Sequence, residues 1–306
     1  MKVQATNSDP SRRSFLTTTA SAAALTILGA GCTQERERTS MARRDKTPVG
    51  LQLYSVRKEA EKDLPGVLTK VARMGYQGVE FAGYYGHEAK EIRQMLDANG
   101  LVCCGTHTAW ETLADDKLAE TIEFNKVLGN PYLICPWLKP NEANPRDTWL
   151  GYAKRFNVLA EKVRPHKMWV GYHAHQHDFA PVDGTGSPTQ NSALGGPTTG
   201  WDLIATNTGK DVIMQLDLGN CMVGGGDPVQ YLQRYPGRAI TIHIKEHSAT
   251  NQKAMIGEGD VQWAQVFKLV RAAGKTRWYI IEEEKDAVPP LEGAEISLRN
   301  LKKLLA

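Results

Sequence analysis

Four apolar segments in the second half of this sequence end in side chains that commonly bind metals. In chain order, the polar residues at those ends are His173 and His175, Asp217, His243 and Lys245, and Glu282. A mixture of imidazole and carboxylate ligands suits Mn²⁺, Zn²⁺, Co²⁺ or Fe²⁺ better than Ca²⁺. We therefore predict one divalent metal ion, of open identity, whose ligands come one from each segment: His173, Asp217, His243 and Glu282.

Each ligand, taken alone, has a structural alternative. A histidine that ends a strand is often a hydrogen-bonded residue of the fold. Asp217 could cap a helix or occupy a turn, since Gly219 and Asn220 follow it. Glu282 begins the acidic run "EEE", which could be a solvated turn. Four such residues, one per segment, favour the metal site over four separate structural roles.

Other polar residues near the segment ends could move protons or contact a substrate. Residues two apart in a strand share a face, so His175 accompanies His173 and Lys245 accompanies His243. The predicted acid–base residues are Glu282, His175, Lys245 and, at the end of the third segment, His107. The predicted substrate contacts are Gln52, Glu80, Trp137 and Asn220. Trp110, Trp137 and Trp201 could each stack on a sugar ring, although tryptophans more often pack in the core.

The elements that must position these residues alternate regularly. Apolar or β-branched runs predict eight strands, at 49–54, 77–82, 101–107, 131–137, 168–175, 212–217, 239–245 and 278–284. Amphipathic patterns predict helices at 64–75, 88–100, 117–129, 148–165, 227–237, 261–274 and 294–306, with a short one near 201–207. This alternation predicts a (β/α)8 TIM barrel, whose reactive residues lie at the C-terminal strand ends. A doubly wound sheet is the alternative, but no glycine-rich dinucleotide motif follows the first strand.

The first 45 residues predict an export signal and linker, which leaves 46–306 as a single barrel domain. Arg12 and Arg13 lie in "SRRSFL" before a weakly apolar run, the layout of a twin-arginine signal. "LGAGC" resembles a lipoprotein processing site, which makes Cys32 a lipidation candidate and a candidate membrane tether. We therefore expect a periplasmic protein or a membrane-anchored lipoprotein.

Composition excludes several classes of partner. The 306 residues carry a formal net charge of +3, with 41% hydrophobic and 23% charged residues. No basic stripe with interleaved aromatic residues is present, so we predict no nucleic-acid partner. Four cysteines follow the leader, and apolar surroundings predict buried thiols rather than disulfides: Cys103, Cys104, Cys135 and Cys221. The Gly/Pro/Ser/Thr-rich loop at 180–200 is long enough to be a functional lid or an insert. The oligomeric state stays open.

Five motifs together resemble a known superfamily. They are "GYHAHQHDF", "QLDLGN", "GRAITIHIKEHS", "IGEGDVQW" and "WYIIEEE". In this order, over about residues 48–306, they are similar to the sugar phosphate isomerase/epimerase superfamily of xylose isomerase-like barrels. The resemblance implies a divalent metal on His173, Asp217, His243 and Glu282. Ketose epimerases of this fold carry a glutamate where this chain has His173, which argues against their two-glutamate proton shuttle here.

The chemistry implied is removal of a proton next to a sugar carbonyl through an enediolate. Return of the proton makes the enzyme an isomerase or epimerase, whereas loss of a β-substituent makes it a lyase. Because no basic cluster or glycine-rich nest for a phosphate is evident, we expect an unphosphorylated sugar or glycoside as the substrate. The broad prediction is a sugar isomerase/epimerase, with a 3-keto-glycoside 1,2-lyase as the close alternative. A non-catalytic, exported sugar-binding barrel is a second alternative. Three-zinc nuclease chemistry would need more ligands and a basic groove.

Overall fold

Eight parallel strands form one sheet in the computed structural model, which describes residues 45–182 and 198–306. The strands are β1 (Val49–Gln52), β2 (Gly78–Phe81), β3 (Val102–His107), β4 (Tyr132–Cys135), β5 (Trp169–His173), β6 (Val212–Gln215), β7 (Thr241–Ile244) and β8 (Trp278–Ile281). Consecutive strands pair in parallel from β1 to β6, β7 pairs with β8, and β8 pairs with β1.

The barrel closes between β6 and β7 at two residues of the predicted metal site. Asp217 and His243 form an isolated parallel bridge, and the His243 amide donates a hydrogen bond to the Leu216 carbonyl at 3.0 Å. The predicted (β/α)8 barrel is therefore confirmed.

Helices follow nearly every strand. They are α1 (Arg57–Met74), α2 (Ala89–Ala98), α3 (Leu118–Leu128), α4 (Pro145–Val163), α5 (Gly200–Asn207), α6 (Leu218–Val223), α7 (Pro228–Arg234), α8 (Trp263–Ala273) and α9 (Pro290–Leu304). Short 3-10 helices occupy Leu53–Val56, Trp110–Leu113, Arg164–His166 and Gln176–Phe179. Capping explains several starts. At α4, for example, the Asn144 side chain accepts from the Asp147 amide and Pro145 takes the first position.

The strands are shorter than their apolar runs, because pairing stops before the polar ends. Asp217, Lys245 and Glu282 all lie one or two residues beyond β6, β7 and β8. Helix α6 is not among the helices predicted from the sequence, although a helix cap was one structural alternative for Asp217. Asp217 caps it, since its Oδ1 accepts from the Asn220 amide at 2.6 Å. The structural alternative for Asp217 is thus also correct, for one of its two oxygens.

Space inside the barrel depends on glycine at one position that affects the site. A Cβ added to Gly105 on β3 would lie 2.3 Å from Oε1 of Glu80. The pairing of β2 with β3 shifts register between Val79 and Glu80 at this point. Glycine at 105 therefore gives the buried Glu80 side chain its room.

Two predicted features lie outside the described residues. These are the export signal with Cys32, within 1–44, and most of the long loop, at 183–197. The two ends of that loop meet, since the Val182 amide donates to the Thr198 carbonyl at 3.0 Å. Within the described ranges, none of the helices has the length and apolar character needed to cross a membrane. The four cysteines of the barrel are buried free thiols, as predicted.

Candidate active site

The four predicted metal ligands come together at the C-terminal end of the barrel. His173, Asp217, His243 and Glu282 each offer one ligand atom, and all four atoms lie within 4.8 Å of one another. Donors held about 2.1 Å from one ion lie up to about 4.2 Å apart, so small inward movements would complete a common shell. All four side chains are buried.

His243 lies at the centre of this cluster. Its Nδ1 is 2.8 Å from Oε2 of Glu282 and 3.7 Å from Oδ2 of Asp217, whereas its Nε2 donates to Oε2 of Glu80 at 2.7 Å. Burial opposes a charge on this ring. The three carboxylates outweigh burial and raise the pKa of His243 well above its ordinary value. The electrostatic field at this point therefore favours a cation.

An unpaired oxygen shows that the donor set fits a metal. Oδ2 of Asp217 is buried and has no hydrogen-bond partner in the described part of the chain, while Oδ1 caps α6. A buried carboxylate oxygen without a partner is costly, and a bound cation removes that cost. Two imidazoles with two carboxylates are also ligands that first-row divalent ions accept.

A glutamine fixes the tautomer of His173. The Gln215 amide nitrogen donates to Oε1 of Glu80 and to Oγ1 of Thr241, both at 2.9 Å. Its Oε1 must therefore accept, and it lies 3.0 Å from Nδ1 of His173. The proton of this histidine consequently lies on Nδ1, and the Nε2 lone pair is available for a metal. Burial, reinforced by the positive charges of His243 and Lys245, lowers the pKa of His173 well below its ordinary value.

The predicted acid–base residues line the cavity above this cluster, which has a volume of about 660 Å³. Burial lowers the pKa of His175 to about 4, although Asp217 and Glu282 partly oppose it, so the ring is neutral at pH 7. Burial also opposes the charge on Lys245, but Glu282, Asp217 and Glu284 outweigh it and raise the pKa of the lysine. Lys245 forms an ion pair with Glu284 and lies 3.9 Å from Oε1 of Glu282. Lys245 is therefore protonated at pH 7, so it is available as a proton donor and not as a proton acceptor.

The remaining acid–base candidates are held close to the metal site. Burial opposes ionisation of Glu282, yet Lys245 and His243 lower its pKa to about 2. Glu282 is therefore suited to bind a cation rather than to hold a proton. His107 stacks on His243 with ring centroids 5.5 Å apart, and its Nε2 lies 3.2 Å from Oε2 of Glu80.

The predicted substrate contacts fall into two groups. Trp137 and Asn220 line the cavity. Gln52 and Glu80 have no exposed surface and are hydrogen-bonded to each other at 2.7 Å, below the cluster. Their predicted contact with sugar hydroxyls is therefore corrected: Glu80 accepts from His243, and Gln52 donates to Glu80. Trp201 is also buried, 6.1 Å from the Tyr172 ring, and is a core residue.

Trp110 does not line the cavity either. It packs edge-on against Tyr152 and Phe156, with centroid distances of 5.3 and 5.2 Å. Stacking of Trp110 on a sugar ring is therefore not supported by its position.

Sequence reasoning missed some residues of the site. Gln215 lies two residues before Asp217, and this spacing was the available signal. Asp178 was also missed: its carboxylate accepts from the His175 amide and from the Tyr172 hydroxyl, each at 2.7 Å. Asp178 thereby holds the segment that carries His175. Tyr54 and Glu284 line the cavity as well.

Comparison with known proteins agrees with the barrel. A family model described as xylose isomerase-like TIM barrel matches residues 68–304. An inosose dehydratase from Lacticaseibacillus casei is 26% identical over 252 residues, which cover 69% of this chain and 79% of that protein. The rhizopine catabolism protein MocC from Rhizobium meliloti is 22% identical over 283 residues, or 78% of this chain and 81% of MocC.

A solved structure also has a similar fold. The structure described as a sugar phosphate isomerase/epimerase from Parabacteroides distasonis is 25% identical, with a TM-score of 0.69. The match covers 85% of this chain and 95% of that one. With the family model spanning most of the barrel, the chain belongs to the xylose isomerase-like TIM barrel family.

Proposed function

We propose that this protein is a metal-dependent enzyme that removes the proton next to a carbonyl of an unphosphorylated sugar derivative and then expels the β-substituent. The observation that carries the proposal is that His175 and Lys245 line one cavity beside two candidate metal ligands, His173 and Glu282. Burial keeps the His175 imidazole neutral, and the neighbouring carboxylates keep the Lys245 amine protonated. Such a pair can act as base and acid at the same pH.

The metal would be bound by His173, Asp217, His243 and Glu282. When bound, a divalent ion acts as a Lewis acid toward the carbonyl oxygen and lowers the cost of the negative charge that develops there. Glu80 and Gln215 would hold the two histidine ligands in their orientations through the hydrogen bonds at 2.7 and 3.0 Å.

The residues of the chain divide the proton transfers between them. The neutral His175 ring accepts the proton from the carbon next to the carbonyl. The electron pair of that C–H bond forms a C=C bond, and the bond to the β-oxygen breaks with its own electron pair. Lys245 donates a proton to the departing oxygen, so an alcohol or water leaves. The Glu282 and Glu284 carboxylates keep Lys245 charged before this step.

Elimination is favoured over epimerisation by the identity of residue 173. A two-glutamate shuttle needs a carboxylate on each face of the substrate carbon, and this chain has an imidazole at 173. One oxygen of Asp217 is also committed to capping α6. The similarity to a protein named inosose dehydratase, which is a lyase by that name, supports the same outcome.

Isomerisation or epimerisation is the second candidate, since it shares the first proton removal. The likeness to a structure described as a sugar phosphate isomerase/epimerase favours it. In that case the proton returns to carbon and the β-substituent stays in place.

The absence of a phosphate from the substrate is supported by charge. Among the described residues that line the cavity, Lys245 is the one permanent cation, and two glutamates already neutralise it. A phosphate dianion would need further Arg, Lys or backbone donors. We propose an unphosphorylated sugar or glycoside, with 3-keto-glycosides as the class in which C2 proton loss expels the group at C1.

Export by the twin-arginine route is proposed on the sequence of the leader. Arg12, Arg13 and the apolar run that follows support it, and Cys32 would add a lipid anchor. An extracytoplasmic location agrees with an unphosphorylated substrate.

The test is NMR in D₂O of the metal-loaded protein with methyl 3-keto-β-glucoside. We expect free methanol and a product with a C1–C2 double bond. Deuterium at C2 with the glycosidic bond intact would select the isomerase/epimerase candidate. No exchange and no product across keto-sugars, aldo-sugars and 3-keto-glycosides would contradict both and favour a non-catalytic sugar-binding barrel.

A further inference from the structure

The cavity has an apolar side in addition to its polar floor. Six of its fourteen lining residues are apolar or aromatic: Tyr54, Ala82, Ala109, Pro136, Trp137 and Val223. All but Val223 follow strands β1 to β4, which are neighbours in the sheet. The candidate metal ligands lie at the C-terminal ends of β5 to β8 or just beyond them. We call the six apolar or aromatic residues, including Val223, the apolar wall.

The apolar wall is exposed where most large apolar side chains of the barrel are not. Trp137 is 50% exposed, Tyr54 42% and Val223 61%. An exposed aromatic surface beside a polar floor is typical of a ligand pocket rather than of packing. The cavity volume of about 660 Å³ falls in the range of pockets for drug-sized ligands, which are larger than one sugar ring.

Trp137 is held firmly enough to serve as a platform. Its ring centroid lies 4.3 Å from that of His177, and the His177 Nε2 donates to the Leu138 carbonyl at 2.8 Å. His177 in turn stacks on the buried Trp149 at 6.2 Å. Trp137 also meets His175 edge-on at 4.7 Å, which places it directly beside the proposed base.

Tyr54 is fixed from the other direction. The Arg57 guanidinium lies 3.9 Å from the Tyr54 ring centroid, and the Tyr54 amide donates to the Gln52 side chain at 3.0 Å. Gln52 is hydrogen-bonded to Glu80, the partner of His243. The apolar wall and the metal cluster are thus connected through a chain of hydrogen bonds, of which the two beyond Tyr54 are buried.

We infer that the apolar wall is a binding subsite for a planar, apolar group attached to the sugar, so that the substrates are aromatic glycosides. The inference rests on the proposed function, because the departing alcohol is then a phenol that occupies the apolar wall. The sugar carbonyl faces the metal ligands while the aromatic ring contacts Trp137 and Tyr54. Ring–ring contact adds to the gain from apolar burial.

The test compares two unreactive glycosides, phenyl β-glucoside and methyl β-glucoside, by titration calorimetry of the metal-loaded protein. Phenyl β-glucoside should bind about 10-fold more tightly. Trp137→Ala should bring the ratio of the two dissociation constants close to 1. Trp169→Ala is the matched control, since Trp169 is 37% exposed at the start of β5, away from the cavity, and should leave the ratio unchanged.

A second variant covers the case in which Trp137→Ala fails to fold. Val223 is 61% exposed, so Val223→Asp should fold normally while it adds a charge to the apolar wall and reduces the phenyl preference. A ratio near 1 in the unmodified protein, or no binding of either glycoside, overturns the inference. Elimination of methyl 3-keto-β-glucoside without a phenyl preference would retain the proposed function and remove the subsite. A Trp137-dependent preference for phenyl β-glucoside, without elimination of the 3-keto-glycoside, would retain the subsite and contradict the proposed function.

Discussion

Nε2 of His243 lies 2.7 Å from Oε2 of Glu80, and both side chains are completely buried. Burial opposes ionisation of Glu80, but His107 and His243 hold its pKa well below the ordinary value, so the group is a carboxylate. It therefore orients the central histidine with Nδ1 toward Asp217 and Glu282. A carboxylate behind a metal-binding histidine is a common arrangement and strengthens the ligand.

Loss of the Glu80 charge should weaken metal binding without removing a ligand. In Glu80→Gln the amide is close in size but cannot accept as strongly from His243, so the Kd for the metal should rise about 10- to 100-fold. Competition with a chelator measures this constant. Thermal unfolding of the metal-free variant reports whether the fold survives, and an unchanged Kd in a folded variant would argue against this role.

Removal of the Lys245 amine should slow expulsion of the leaving group more than proton removal. Lys245→Met keeps most of the side-chain length but cannot donate a proton, and elimination of methyl 3-keto-β-glucoside should fall about 10²- to 10⁴-fold. p-Nitrophenyl 3-keto-β-glucoside should be affected much less, because nitrophenolate leaves without a proton. Rates for both substrates, measured side by side, check the prediction. Equal losses on the two substrates would exclude Lys245 as the acid.

The pH dependence should reflect the low pKa of His175. Burial lowers that pKa to about 4, so the neutral ring can accept a proton down to about pH 4, whereas free imidazole is half protonated near pH 6.5. We expect kcat/KM for α-proton exchange to lose activity near pH 4 as the pH falls. His175→Gln should abolish most exchange at pH 7. A loss of kcat/KM centred near pH 6.5 would show that the reacting base is not this buried ring.

The low pKa of His175 also determines how its contribution to the free energy of unfolding changes with pH. His175 binds a proton less readily when folded than when unfolded, so its contribution to the free energy of unfolding decreases as the pH falls from about 6.5 to about 4. His175→Gln should remove this part of the acid sensitivity.

The leader should direct export only with its arginine pair intact. Replacement of both Arg12 and Arg13 by lysine keeps the charge but should leave the protein in the cytoplasm. Cell fractionation measures the distribution, and Cys32→Ser in the otherwise natural chain tests membrane attachment separately. Normal export of the double-lysine variant would contradict a twin-arginine signal, and that export route would no longer support an unphosphorylated substrate.

The barrel and its ligand cluster were predictable from the sequence because both follow from strand periodicity. Apolar runs that end on His173, Asp217, His243 and Glu282 place these residues at one edge of a closed sheet. The layer beneath was harder to predict. Glu80 and Gln52 also end strands, and only the packed interior, with Gly105 making room, shows that they lie below the cluster.

Helix α6 and the tryptophans show another limit. Six residues after Asp217 are too few for a helical pattern, and the cap at 2.6 Å becomes visible only in three dimensions. Trp137 lies between Pro136 and Leu138, and Trp201 lies between Gly200 and Asp202; neither sequence neighbourhood shows whether the ring is exposed. Half of Trp137 is exposed in the cavity, whereas Trp201 is buried against Tyr172, and tertiary packing alone decides this difference.

The shared metal site is tested most directly by the metal content and metal affinity of Asp217→Asn, measured beside those of Asp217→Ala. Asparagine caps helices as well as aspartate does, so Asp217→Asn should keep α6 and the fold while the charged metal-facing oxygen is lost. We expect one ion per chain in the natural protein, weak or no binding in both variants, and a larger stability loss in Asp217→Ala. Full metal occupancy in a folded Asp217→Asn protein, with unchanged affinity, would contradict a shared site at His173, Asp217, His243 and Glu282.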